Sequence, residues 1–186
     1  MYNFNYHCPS SLQEAESLYA KSEDPMFLAG GHTLLPTMKQ RLNAPTDLID
    51  LAGLTELAGI SREGDVLQIG AYTRHADVAA SELVQAAIPA LAKLARGIGD
   101  TQVRNRGTIG GSVANNDPAA DYPAALLGLG ATVVTTKRSV PADEFFVDMF
   151  ETVLEEGEII TAVTFPVKGD AEYIKFANPA SRYATV

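Results

Sequence analysis

Residues 26–38, MFLAGGHTLLPTM, set a short apolar run, two adjacent glycines and a helical pattern in direct succession. A buried strand that turns through Gly30-Gly31 into a helix, with Thr33 as its cap and Pro36 tolerated in the first turn, satisfies each of these residues. Asp47 to Asp50 supplies a second short strand after Pro45. Two short strands with a helix between them make a compact βαβ element. Its first turn exposes backbone N–H groups, which suits an anion at a helix start. A purely structural βα turn needs the same glycines, so the turn alone leaves both readings open.

A second glycine-containing stretch runs from Arg104 to Asp121, RNRGTIGGSVANNDPAAD. Gly107, Gly110 and Gly111 beside Thr108 and Ser112 let a backbone approach a ligand without a Cβ in the way. Bare N–H groups in such a turn form a second anion cradle, while the plain alternative is a tight corner that needs glycine. Asp117 is read as the N-cap of an Ala-rich helix with Pro118 at its first position. Ala124, Ala125, Leu126 and Leu127 pack from that helix.

The remaining pattern is mixed. Asn3 to Tyr6 reads as a strand, and Ser10 to Gln13 as a capping box opening a helix to about Lys21. Ile60–Arg62 and Val66–Gly70 form a hairpin. Thr73 and Ser81 cap helices reaching Ala80 and Ala87, and Pro89 to Arg96 is a helix with Leu91 and Leu94 inward. Ala131–Lys137, Ser139–Val140 and Ile159–Pro166 read as strands, Asp143 to Phe146 as a short helix, and Tyr173 to Phe176 as the start of a further strand. The fold class is therefore α+β and two-lobed. Residues 1–56 form a small βαβ lobe, 57–167 a larger α+β lobe, and 168–186 begin a further region. Each lobe carries one glycine turn, so one elongated anionic ligand lying between the lobes uses both.

Composition narrows the function. The net charge of −9 argues against a nucleic-acid surface, which needs clustered Lys and Arg. One cysteine, Cys8, leaves no disulfide framework and no cysteine-held cluster within this chain. His7, His32 and His75 lack metal-ligand spacing, so no metal site is expected. With no apolar run long enough to span a bilayer and no signal-peptide pattern at the N-terminus, the chain is expected to be cytoplasmic.

Both glycine stretches resemble known motifs. Ala29-Gly30-Gly31-His32-Thr33-Leu34-Leu35-Pro36, followed by Met38-Lys39, resembles the first flavin motif of the FAD subunits of molybdenum hydroxylases. Gln102-Val103-Arg104 through Arg106-Gly107-Thr108-Ile109-Gly110-Gly111-Ser112, then Ala114-Asn115 and Asp117-Pro118 to Asp121, resembles their second. This is the family of the carbon monoxide dehydrogenase medium chain and the FAD part of xanthine dehydrogenase. Its fold is similar to that of the p-cresol methylhydroxylase/vanillyl-alcohol oxidase flavoproteins.

The resemblance implies FAD as cofactor. Ala29, Gly30, Gly31, His32, Thr33 and Leu34 would hold the FAD pyrophosphate. Thr108, Ile109, Gly110, Gly111, Ser112 and Asn115 would close on the cofactor from the other lobe. Asp121 would hydrogen-bond the cofactor, and Lys175 falls near a family lysine beside the flavin. Two departures stand out. Ser112 replaces the usual Asn, and Ala177-Asn178-Pro179 departs from the family's basic run. Arg104 and Arg106 offset cofactor charge, face the cluster subunit, or form a solvated basic pair. For His32 the side chain or only the N–H is used; His75 and Cys8 are structural.

The resemblance further implies a molybdopterin-binding large subunit and a [2Fe–2S] small subunit as partners. This chain would pass electrons from the clusters to an external acceptor, with no catalytic side chain of its own. Family members continue past Ser181-Arg182-Tyr183-Ala184 into a C-terminal domain, so the chain reads as truncated. Two alternatives stay open. One is a stand-alone flavin oxidase or reductase of the same fold; the other is a non-enzymatic assembly module that has lost FAD.

Overall fold

The computed structural model describes residues 1–177 and 184–185 of the 186-residue chain. Strand β1 (Asn5–His7) leads into helix α1 (Leu12–Lys21), then β2 (Pro25–Leu28), α2 (Leu34–Lys39) and β3 (Asp47–Asp50). The three strands form one parallel sheet in the order β1-β3-β2. Asp47 at the start of β3 ties the sheet together by accepting hydrogen bonds from Asn5, Thr46 and His7. The cap of α1 sits one residue later than the sequence reading. Ser11, not Ser10, accepts from the Glu14 N–H, and Glu14 reaches back to the N–H and hydroxyl of Ser10. Glu is the better partner at that place because its carboxylate satisfies two donors at once.

Two 3-10 turns, Leu51–Gly53 and Thr55–Leu57, carry the chain into the hairpin β4 (Ile60–Glu63) and β5 (Val66–Gly70). A helical block follows: α3 (His75–Ala80), α4 (Glu82–Ala87), α5 (Pro89–Arg96), α6 (Thr101–Arg104), α7 (Ile109–Asn115) and α8 (Tyr122–Gly128). Then come β6 (Thr132–Thr135), β7 (Ser139–Pro141), α9 (Ala142–Phe145), the hairpin β8 (Phe146–Asp148) and β9 (Glu151–Thr152), and β10 (Ile160–Pro166). A last pair, β11 (Phe176–Ala177) and β12 (Ala184–Thr185), is antiparallel.

Strand β10 is the spine of a five-stranded antiparallel sheet ordered β4-β5-β10-β6-β7. Its alternation puts Val163 and Phe165 on one face, opposite Ile69 and Leu67 of β5, with Val133 of β6 beside Val163. All five are fully buried and pack with Leu91, Leu94, Ile109, Val113, Tyr122 and Leu126 from the helical block in the main core. A smaller core joins Ala15, Ile49, Leu51, Leu54 and Leu57 to Ile159, with Tyr19, Phe27 and Tyr72 against it. Ile159 and Tyr72 lie beside the five-stranded sheet in sequence, so apolar burial fastens the two sheets to one another.

Several local expectations change. The expected turn through Gly107, Gly110 and Gly111 is largely helical: α6 ends at Arg104 and α7 occupies Ile109–Asn115, with Thr108 as its N-cap. Asp117 caps no helix. Its carboxylate accepts from the Ala119 N–H in a local turn, and α8 starts at Tyr122 with Pro123 in its first turn. Two prolines compete for a helix start, and the one that follows Asp121 is used. Thr33 takes helical dihedrals and makes no side-chain cap, which needs an extended residue. Thr73 spends its hydroxyl on both the N–H and the carbonyl of Gly59, leaving Arg74 at the start of α3. Leu127 is 46% exposed and does not join the core. The first strand begins at Asn5 rather than Asn3, and of Tyr173–Phe176 only Phe176 is in a strand. Residues 178–183, where the departure at Asn178-Pro179 and most of the terminal motif fall, lie outside the described residues.

Candidate functional site

The loop between β2 and α2 has the geometry of an anion cradle. Among the described residues, the N–H groups of Gly30, Gly31, His32, Thr33 and Leu34 donate to no protein acceptor. Gly31 has φ +74°, the left-handed conformation that side chains resist, and this re-aims the amides that follow it. Successive bare amides at a helix start favour a negatively charged group, and FAD's diphosphate has the charge and oxygens to take them. His32 and Thr33 are exposed on the same loop, and Leu34 is half-buried.

The second glycine stretch lies directly against this loop. A Cβ on Gly30 would stand 2.3 Å from the Arg106 carbonyl oxygen, so the two backbones touch. Gly111 faces Ala29, with 3.6 Å from an added Cβ to the Ala29 Cβ. Tyr72 closes the seam, its hydroxyl a long 3.5 Å from the Ala29 carbonyl oxygen. The two sequence-identified segments are thus neighbours across the junction of the two sheets.

They are not equivalent, however. Four of the expected bare N–H groups of the second segment, those of residues 109–112, are in use. Ile109 N–H donates to Thr73 O (3.1 Å) and Gly110 N–H to Ala71 O (2.8 Å). Gly111 N–H donates to the Thr108 hydroxyl (3.2 Å) and Ser112 N–H to Thr108 O (3.1 Å). Thr108, Ile109 and Gly110 are buried. What this segment presents at the surface is Gly111, with half-buried Ser112 and Asn115 beyond it. The reason is local: residues 71–75 cross residues 107–110, pairing Arg74 with Thr108 and the His75 N–H with Gly107 O. A helix start whose amides are satisfied by a crossing segment and by its own cap has few left for a ligand.

Charge at the seam is positive although the chain is acidic. Arg74 and Arg106 are exposed there, and both act electrostatically on Tyr72. The Tyr72 phenol is pushed up, chiefly by burial and by Asp50, with the two arginines opposing. Arg104 plays a different part: its guanidinium donates to the carbonyls of Ile98 and Gly99 and to Thr101, clamping that loop. Neither Tyr72 nor Arg74 was singled out from sequence, because only the crossing with Thr108 brings them to the seam. Their place just after a strand that ends in Gly70 was the available signal.

Asp121 and Lys175 meet. Lys175 Nζ lies 3.0 Å from Asp121 Oδ1, and the Tyr173 hydroxyl donates to the same oxygen at 2.5 Å. Asp121 is 6% exposed. Burial and the neighbouring carboxylate both push the Tyr173 phenol up, so it stays a donor throughout the physiological range. An open groove of about 470 Å³ lined by Lys93, Arg96, Gly97, Tyr173, Ile174 and Lys175 adjoins this pair. Cys8 is exposed and His75 is buried.

Among the described residues no helix is long and apolar enough to cross a membrane. None of their His, Cys, Asp and Glu side chains gather in threes to hold a metal ion.

Comparison with known proteins identifies the family. The carbon monoxide dehydrogenase medium chain of Hydrogenophaga pseudoflava is 45% identical over 88% of this chain and 58% of its own length. The corresponding chain of Afipia carboxidovorans is 38% identical over 98% of this chain and 66% of its own. A solved structure of the Hydrogenophaga pseudoflava carbon monoxide dehydrogenase superposes with TM-score 0.87 at 44% identity, covering 90% of this chain and 60% of that one. The chain therefore spans about three-fifths of the length of these relatives. The family model of the FAD binding domain in molybdopterin dehydrogenase matches residues 2–168, and the chain belongs to that family.

Proposed function

We propose that this chain is the FAD-binding, electron-transfer subunit of a molybdenum-containing hydroxylase or dehydrogenase. On this reading it passes electrons from the [2Fe–2S] clusters of a small subunit to an external acceptor. A molybdopterin-binding large subunit oxidises the substrate. The observation that carries the reading is the run of bare N–H groups from Gly30 to Leu34, set at the junction of the two sheets in a chain of this family. Residues 1–56 and 57–167 act as two jaws on the cofactor, and 168–186 open a further region.

The jaws divide the work. Gly30, Gly31, His32, Thr33 and Leu34 neutralise the diphosphate through backbone dipoles, with the backbone N–H as the functional part of His32. Ala29 supports the loop through Tyr72. Thr108, Ile109, Gly110, Gly111, Ser112 and Asn115 form a close-packed wall, in which Gly111 leaves room for the cofactor and Ser112 and Asn115 offer polar side chains. Arg74 and Arg106 add positive charge beside the phosphates. Asp121, paired with Lys175 and held by Tyr173, would hydrogen-bond the cofactor. Bound FAD supplies the redox chemistry, and these residues bind it, orient it and set its electrostatic surroundings.

The test is FAD uptake by the purified chain, followed by visible flavin absorbance after desalting, with Gly111→Asp beside the wild type. The expected result is flavin in the wild type, and loss of flavin in the variant with an unchanged circular dichroism spectrum. Full retention in Gly111→Asp removes the wall assignment, and a wild type that takes up no FAD favours the assembly module. Substrate-dependent bleaching of the flavin after reconstitution with both other subunits distinguishes the complex subunit from a stand-alone reductase, whose flavin is bleached by its own reductant.

A further inference from the structure

The hairpin β8–β9 keeps Phe146 against the main core but places the apolar residues at and beside its tip on the outside. Val147, Met149 and Phe150 are 55%, 69% and 61% exposed, although the main core lies directly behind Phe145 and Phe146. A chain free to relax would fold such residues inward. This one is prevented from doing so. Phe150 has φ +59°, a left-handed conformation that bulky residues seldom adopt. It is held there because its N–H donates to the Asn116 carbonyl (3.0 Å). Asn116 is itself left-handed at φ 42° and 8% exposed. Its side-chain amide donates to the carbonyls of Asp148 (2.8 Å) and Glu151 (2.9 Å), bracketing the tip from both strands. Asp148 accepts from the Met149 N–H and fixes the turn from within. A buried asparagine thus commits both N–H groups of its side-chain amide to a turn that holds two large apolar side chains in solvent. Strain kept by over-determined contacts is a mark of a functional surface.

The surroundings specify what the tip fits. Asp143, Glu144, Asp148 and Glu151 are exposed around it, and no Lys or Arg occurs between positions 139 and 167. Met and Phe are favoured at the centres of protein interfaces, with charged groups on the rim. A second copy of this chain would bring carboxylate rim against carboxylate rim, which disfavours self-association.

We propose that the Val147–Glu151 hairpin tip docks into an apolar pocket bordered by Lys and Arg on another protein subunit of the complex. This rests on the reading that the chain works within such a complex.

The experiment uses the chain assembled with its cognate molybdenum and iron–sulfur subunits, the Met149→Asp/Phe150→Asp double variant, and hydroxyl-radical labelling of Met149. The expected results are assembly by the wild type, loss of affinity of about tenfold or more in the double variant, and protection of Met149 in the wild-type complex. Raising salt is expected to weaken the wild-type complex. Flavin content and Tm of the isolated double variant stay at wild-type values, which separates a lost contact from a lost fold. If the wild type assembles and Met149 is labelled as readily as in the free chain, the docking assignment fails while the subunit reading stands. A wild type that takes up FAD yet joins neither subunit overturns both. A homodimer that the double variant abolishes overturns the choice of partner.

Discussion

Gly30 and Arg106 are in backbone contact. A side chain at position 30 would meet the Arg106 carbonyl oxygen at 2.3 Å and the Gly107 Cα at 2.7 Å. Both obstacles are main chain, so neither can swing aside. The contact is what aligns the amides of Gly30–Leu34 with the segment that carries Gly111. Gly30→Ala is expected to destabilise the fold by about 1–3 kcal/mol and to lower flavin retention. Gly128→Ala is the control, because a Cβ there meets nothing within 4 Å. Thermal unfolding and the flavin-to-protein absorbance ratio of the two variants check the prediction; equal behaviour would contradict it.

Asp121 gathers two donors that lie more than fifty positions further along the chain, Tyr173 and Lys175. Asp121→Asn keeps the shape and removes the charge, leaving the Lys175 ammonium beside a neutral amide. The expected cost is about 2 kcal/mol, because hydrogen bonds to a buried charge exceed neutral ones. The loss is expected to concentrate in residues 171–177. Amide hydrogen exchange of that segment should rise well before that of β10, and uniform exchange across both would show that the pair does not organise it.

Asn116 gives a third expectation, independent of any partner. Asn116→Ala removes both bonds to the hairpin and places a side chain without a local hydrogen bond in the left-handed region, for a combined cost of about 2 kcal/mol. Asn116→Gly loses the same bonds but tolerates the backbone, so about half of that cost is expected. Chemical denaturation of the two variants measures the difference. An Ala variant no worse than the Gly variant would mean that the backbone at 116 carries no strain.

How much of this was legible in the sequence depended on whether the signal was local. The β2–α2 loop was readable because an apolar run, Gly30-Gly31 and the periodicity of Leu34, Leu35 and Met38 act within a few residues of one another. Strand β10 announced itself through its β-branched, apolar run with Val163 and Phe165 two apart, helped by the Glu-Gly turn before it. The second glycine stretch was located, but its secondary structure was not. Gly110 and Gly111 argue against a helix, and what makes α7 form is the cap from Thr108 and the acceptors at Ala71 and Thr73, the latter two far away in sequence. For the same reason the amides of Ile109 and Gly110, bare by local rules, are spent. The β8–β9 hairpin left no turn signal of the Asn-Gly kind, since its positive φ falls on Phe150 and is imposed by Asn116. For Arg104 the sequence left cofactor, partner and solvated readings open, and its guanidinium in fact binds the carbonyls of Ile98 and Gly99.

His75 gives the last expectation, and its sign follows from burial. The ring is 4% exposed, its Nδ1 has no partner among the described residues, and the Tyr122 ring lies 5.4 Å away. Burial, with smaller contributions from His32 and Arg104, lowers its pKa from 6.5 to about 4. A folded-state pKa below the unfolded one means that the unfolded chain binds a proton through that window while the folded chain does not. Stability therefore falls as pH drops from about 6.5 to about 4, by up to about 1.4 kcal/mol per unit, and the slope ends once the folded state is protonated as well. The carboxylates whose pKa values are lowered act in a separate range. Asp47, held by His7, and Glu158, where the Glu155 N–H, Thr135 and Arg138 outweigh burial, lose their contribution below the ordinary carboxylate values. His75→Gln, which cannot titrate, is expected to flatten the unfolding free energy between pH 4.5 and 6.5 while leaving the steeper loss at lower pH. Urea unfolding at half-unit pH steps measures both variants. An unchanged slope in His75→Gln would show that His75 is not the proton acceptor that couples folding to pH.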